Sequence, residues 1–68
     1  TISMKVLLVD DEKNARMALR GLIETHFPQL EIIDEAANLP EAVRKINLLH
    51  PALVFLDIEM PGYSGLEL

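Results

Sequence analysis

The sequence predicts an α/β fold, with a parallel sheet of order 2-1-3 threaded strand-helix-strand-helix-strand. Three observations carry this. Two short apolar runs, Lys5–Val9 (KVLLV) and Ala52–Leu56 (ALVFL), have the length of buried strands, and each runs into an acid. Two intervening stretches repeat their apolar residues at helical spacing. The connections between these segments are short, as strand–helix–strand units require.

The first strand, Lys5–Val9, ends at Asp10-Asp11-Glu12. Ala15, Ala18, Leu19, Leu22, Ile23 and Phe27 then form one face of an amphipathic helix over roughly residues 12–26. Lys13, Arg16, Arg20 and Glu24 occupy the other face, expected to be solvated, and Pro28 lies past the helix end. Leu30–Ala36 (LEIIDEA) is a weaker strand interrupted by Glu31, Asp34 and Glu35. Asn38, Pro40 and Glu41 supply a cap, an early proline and a glutamate three residues after the cap, which start a second helix. Leu39, Ala42, Val43, Ile46 and Leu49 form its apolar stripe, and Pro51 closes it. Ala52–Leu56 is the third strand. Ser64–Glu67 repeats the capping pattern and predicts the start of a third helix.

Right-handed crossovers leave two sheet orders to consider. With both helices on one face, the acid-rich second strand would be central. With helices on opposite faces it lies at an edge, and the two apolar strands are adjacent. Order 2-1-3 follows. The chain then reverses between strands 1 and 3, and the crevice at their carboxyl ends is where open α/β sheets bind ligands.

Composition narrows the function. The 68 residues carry eleven acids against six bases, a formal charge of −5. The bases are scattered without aromatic companions, so direct nucleic-acid contact is not expected. Neither a signal peptide nor a membrane-length apolar run is present, and a cytoplasmic location is the default expectation. There is no cysteine, which excludes disulfides and thiolate metal sites.

The switch point gathers Asp10 and Asp11 from strand 1 and Asp57 from strand 3. Two unit charges about 4 Å apart repel by roughly 4 kcal/mol at an effective dielectric near 20. A proton or a cation relieves that repulsion, and an all-oxygen set suits a hard divalent ion such as Mg²⁺. A blander reading has Asp10, Asp11 and Glu12 merely favouring the positive end of the first helix. It leaves Asp57, at the matching end of strand 3, unexplained. A rigidly held carboxylate beside a metal can act as a nucleophile and form an acyl phosphate. Asp57 is expected to end the most deeply buried strand, which suits that role.

Val9-Asp10-Asp11-Glu12, Leu56-Asp57-Ile58-Glu59-Met60-Pro61-Gly62 and Gly65-Leu66 together closely resemble the receiver domain of two-component response regulators. The resemblance covers essentially all of the chain from Met4 onward. It implies a flavodoxin-like fold and transfer of a phosphoryl group from a sensor histidine kinase to Asp57. It further implies direct Mg²⁺ coordination by Asp11 and Asp57, action of Asp10 mostly through water, and a ligand from the Glu59 backbone carbonyl. The spelling DIEMPGYSGLEL looks most like receivers joined to a LytTR-type DNA-binding domain.

The family pattern also has a Ser or Thr, a Lys and an aromatic switch residue further on, with no counterpart here. Residues 4–68 are therefore expected to be the N-terminal part of a receiver, with residues 1–3 an appended remnant. Whether such a piece catalyses its own phosphorylation is open, and efficient reaction is not expected. The edge of strand 52–57 is an expected site of self-association, since an exposed flat apolar edge invites pairing.

Other readings fare less well. A haloacid-dehalogenase-type phosphatase needs a second Asp two residues after the nucleophile, where Glu59 stands. A pseudo-receiver, a protein-interaction module that is never phosphorylated, conflicts with the intact acid set. His26 and His50 sit at helix ends, where partial positive charge favours the terminal carbonyls, and neither suits a phosphodonor or a metal ligand.

Overall fold

The computed structural model describes residues 3–57. The expected third helix, the Met60-Pro61-Gly62 part of the motif and Glu59 lie outside the described residues. Five elements follow in order: β1 (Met4–Val9), α1 (Lys13–His26), β2 (Leu30–Ala36), α2 (Leu39–Leu49) and β3 (Leu53–Leu56). The sheet is parallel with order β2-β1-β3, as the charge of β2 and the apolarity of β1 and β3 predict.

Strand β1 is the spine. Val6, Leu7, Leu8 and Val9 are each 2% exposed or less, because β1 has a strand on both sides and a helix over each face. Alternation splits its side chains between two small cores. Leu7 and Val9 pack with Ala36, Ala42, Leu39, Ile46 and Leu56 on the α2 side. Val6 and Leu8 pack with Ile23, Leu19, Leu30 and Ile32 on the α1 side. Each fully buried aliphatic side chain contributes about 1.5–3 kcal/mol by leaving water.

The expectation that β3 is the most deeply buried strand is corrected. Among the described residues β3 is an edge, with Leu53, Val54 and Phe55 36–39% exposed. Apolar content states what a strand prefers, whereas burial depends on how many neighbours it has.

Helix α2 starts as its sequence predicts, with the Asn38 side chain accepting the Glu41 N–H at 2.9 Å and Pro40 in the first turn. It ends at His50, whose φ of 50° lies in the left-handed region, just before Pro51. Pairing between β1 and β2 slips once. Val6 lies opposite Ile32, but Leu7 lies opposite Asp34, so Ile33 is an extra residue bulged out of register. Among the described residues, no helix is long and apolar enough to cross a membrane.

Candidate functional site

The carboxyl ends of β1 and β3 are pinned by the sheet itself. The Asp10 N–H donates to the Ala36 carbonyl at 3.0 Å, extending the β1–β2 ladder by one bond. The Asp57 N–H donates to the Val9 carbonyl at 3.0 Å and extends the β1–β3 ladder. Backbone geometry thus fixes both acids at neighbouring strand ends. Between β1 and α1 the Asp10 carboxylate accepts the Glu12 N–H at 2.9 Å, an aspartate turn that leads the chain into the helix. Glu12 stands at the helix cap position without a side-chain capping bond.

One carboxylate oxygen from each of Asp10, Asp11 and Asp57 lies within 4.8 Å of the others. Asp10 and Asp57 are half-buried and Asp11 is exposed. Octahedral Mg²⁺ with bonds of about 2.0–2.1 Å places opposite ligands about 4.2 Å apart. Adjacent ligands of such an ion are only about 2.9 Å apart, so the trio takes a small divalent ion once its oxygens draw in or water bridges some of the contacts. Glu59, the expected fourth contributor, lies outside the described residues. A cavity of about 260 Å³ adjoins the acids, lined by Asp10, Arg16 and Asp57 together with Leu8, Val9, Leu19, Phe55 and Leu56.

Arg16 is a residue whose place the sequence pattern missed. Expected on a solvated face, its side chain is only 15% exposed. Its Nε donates to Glu35 at 2.8 Å and its Nη1 to the Asp10 carbonyl at 2.5 Å. Arg20, one helical turn on, donates to the other Glu35 oxygen at 2.9 and 2.6 Å. Hydrogen bonds from Arg20 foremost, and from Arg16, hold the Glu35 carboxyl below its usual range, against the opposing effect of burial. On the opposite face of β2, Lys45 of α2 donates to Asp34 at 3.1 Å and to the Glu35 carbonyl at 2.5 Å. The Asp34 carboxyl is likewise lowered, chiefly by accepting the Glu35 N–H and then by Lys45. The available signal was two adjacent acids in a strand, with cations at i and i+4 on the preceding helix.

Comparison with known proteins agrees with this architecture. The family described as response regulator receiver domain matches residues 6–68. An uncharacterized response regulatory protein of Vibrio cholerae is 48% identical over 65 residues, covering 96% of this chain and 27% of the relative. The transcriptional regulatory protein BtsR of Salmonella typhi is also 48% identical over 65 residues, with the same coverage. The chain thus spans about a quarter of the length of the curated relatives it matches. Among solved structures, the response regulator domain of Thermotoga maritima CheB superposes with a TM-score of 0.82 at 37% identity, covering 96% of this chain and 48% of that one.

Proposed function

The chain belongs to the response regulator receiver domain family of two-component signalling, and from that premise we propose that it accepts a phosphoryl group on Asp57. The observation that supports this reading is the meeting of Asp10, Asp11 and Asp57 at the ends of two adjacent strands. Asp57 is the acceptor; Asp10, Asp11 and Asp57 would hold the Mg²⁺, with the backbone carbonyl of Glu59, outside the described residues, as the further ligand that the family resemblance implies. A bound Mg²⁺ would neutralise the phosphoryl oxygens as charge shifts during transfer.

The donor is a sensor histidine kinase carrying a phosphohistidine. A carboxylate oxygen of Asp57 attacks phosphorus, the P–N bond breaks as the new P–O bond forms, and the imidazole leaves with the electron pair. The product is an acyl phosphate. The ladder bond from Asp57 N–H to Val9 holds the nucleophile's backbone in place during this exchange.

Residues 4–68 are read as the N-terminal part of a cytoplasmic receiver that controls a DNA-binding output of the LytTR type. The spelling DIEMPGYSGLEL and a relative named as a transcriptional regulatory protein support that reading. Direct nucleic-acid contact is not assigned to these residues, in keeping with their charge of −5. Self-association through the strand 52–57 edge is proposed from the exposure of Leu53, Val54 and Phe55. Light scattering that shows only monomer at high concentration would sink that part.

The test of the main reading is incubation of a chain extended through the remainder of the receiver with acetyl phosphate and Mg²⁺, followed by intact-mass measurement. A phosphoryl adduct is expected in the wild type and none in Asp57→Asn. An adduct that persists unchanged in the variant overturns the assignment.

A further inference from the structure

One peptide group joins Asp10 to Asp11, two of the three grouped acids. A peptide is planar, so the direction of the Asp10 carbonyl and the course of the chain into Asp11 are set together. That carbonyl accepts Nη1 of Arg16 at 2.5 Å. On the other side of Asp10, its N–H donates to the Ala36 carbonyl at the end of β2. The Arg16 guanidinium is itself fixed from β2, because its Nε donates at 2.8 Å to Glu35, the residue before Ala36. Glu35 reaches it because the slip at Ile33 sets Glu35 opposite Leu8, on the α1 side of the sheet. A guanidinium is a rigid planar fork, so holding Nε and Nη1 at two acceptors fixes its plane. Edge strand β2 thus grips the Asp10 main chain twice, once directly and once through Arg16.

We propose that Arg16 is a positioning residue for the acid site: braced by Glu35, it clamps the Asp10–Asp11 peptide and thereby fixes where the exposed Asp11 carboxylate stands relative to that of Asp10. The inference rests on the reading that these acids hold Mg²⁺. Its sign separates it from a plain charge effect. Arg16 lines the same cavity as Asp10 and Asp57, so by charge alone its removal would help a divalent cation to bind. Loss of the clamp does the reverse, because a freed peptide leaves Asp11 to be ordered when the ion arrives. Arg20 supplies the contrast. It pairs with the same Glu35 carboxylate from the next turn of α1, and its side-chain hydrogen bonds among the described residues go to Glu35 and Glu24 alone.

The test is calorimetric titration with Mg²⁺ alone, at neutral pH and fixed ionic strength, on a chain extended through the remainder of the receiver. Wild type, Arg16→Gln, Arg16→Lys and Arg20→Gln are compared. Arg16→Gln is expected to bind Mg²⁺ about tenfold more weakly, at the lower end of what a hydrogen bond to a charged group is worth. Arg16→Lys is expected to lose several-fold although the charge is kept, since a single ammonium is no fork. Arg20→Gln, which breaks an ion pair to the same carboxylate, is expected to stay within about twofold of wild type. Without metal, the Asp10 carbonyl carbon resonance should move upfield in both Arg16 variants and hold its place in Arg20→Gln. Mg²⁺ binding in Arg16→Gln as tight as wild type or tighter overturns the inference. So does an equal loss in Arg20→Gln, which is what a merely structural role predicts, and so does an unmoved Asp10 resonance in folded Arg16→Gln. If Arg16→Gln does not fold, Arg16→Lys decides, with a several-fold loss supporting the clamp and wild-type affinity overturning it. A wild-type chain that takes up no Mg²⁺ overturns the functional reading and this inference together, whereas wild-type binding that Arg16 does not affect overturns the inference alone.

Discussion

Two groups of acids sit on one small sheet and are treated in opposite ways. On β2, Asp34 and Glu35 each meet bases, from α2 on one face and from α1 on the other. At the ends of β1 and β3, Asp10, Asp11 and Asp57 meet one another. Paired acids lock helices onto a strand. Grouped acids gather like charge at one end of the sheet. What separates the two groups is placement, since the residue types are nearly the same: one lies along an edge strand under the helices, the other at the carboxyl ends of two adjacent strands.

The largest effect expected from breaking this contrast comes from Glu35→Gln. Two partly buried arginines lose their shared carboxylate, and the unfolding free energy should fall by about 1–3 kcal/mol in urea titrations, with or without Mg²⁺. A change within about 0.5 kcal/mol, the range of ordinary surface substitutions, would mean the pairs are ornamental. Acid should produce a related loss without mutation. The carboxyls of Asp34 and Glu35 are both lowered in the folded chain, so their contribution is fully present above their ordinary values of 3.8 and 4.5. It disappears as pH falls below those values through the lowered ones. Thermal melts between pH 5 and 2 should show this loss, and it should be reduced in Glu35→Gln.

The smallest effect is the most discriminating. Asp11→Asn removes one of three like charges at an exposed position. In chelator it should raise stability by a few tenths to about 1 kcal/mol, the scale of exposed charge interactions. In saturating Mg²⁺ the same variant should be less stable than wild type, because a ligand is lost and bound cation stabilises only what binds it. Melting temperatures that shift the same way in both buffers would place Asp11 with the paired acids.

Much of this was legible in the sequence. KVLLV and ALVFL marked strands, Asn38 and Glu41 marked a helix start, and the acids of LEIIDEA placed their strand at an edge. Order 2-1-3 by itself places Asp10, Asp11 and Asp57 at one end of adjacent strands. Two things escaped. Helical spacing assigned Arg16 and Arg20 to a polar face but could not say that Glu35 lay across from it, since that depends on register. Hydrophobicity ranked Ala52–Leu56 as the deepest strand, although β1 holds that place because it has partners on both edges.

The slip at Ile33 settles what register left open. Before it, Val6 faces Ile32; after it, Leu7 faces Asp34, Leu8 faces Glu35 and Val9 faces Ala36. Because side chains alternate, that single unpaired residue decides which acid looks at which helix. Were the same residues paired without the bulge, Leu7 would face Ile33, Leu8 would face Asp34 and Val9 would face Glu35, so Asp34 would fall on the side of α1 and Glu35 on the side of α2. The arginines and the lysine would then each greet the other's partner, at a different reach. A relative that lacked Ile33 alone would instead restore a regular ladder and keep both acids on the sides they hold here. The bulge thus draws the charge map of the domain without changing a single residue type.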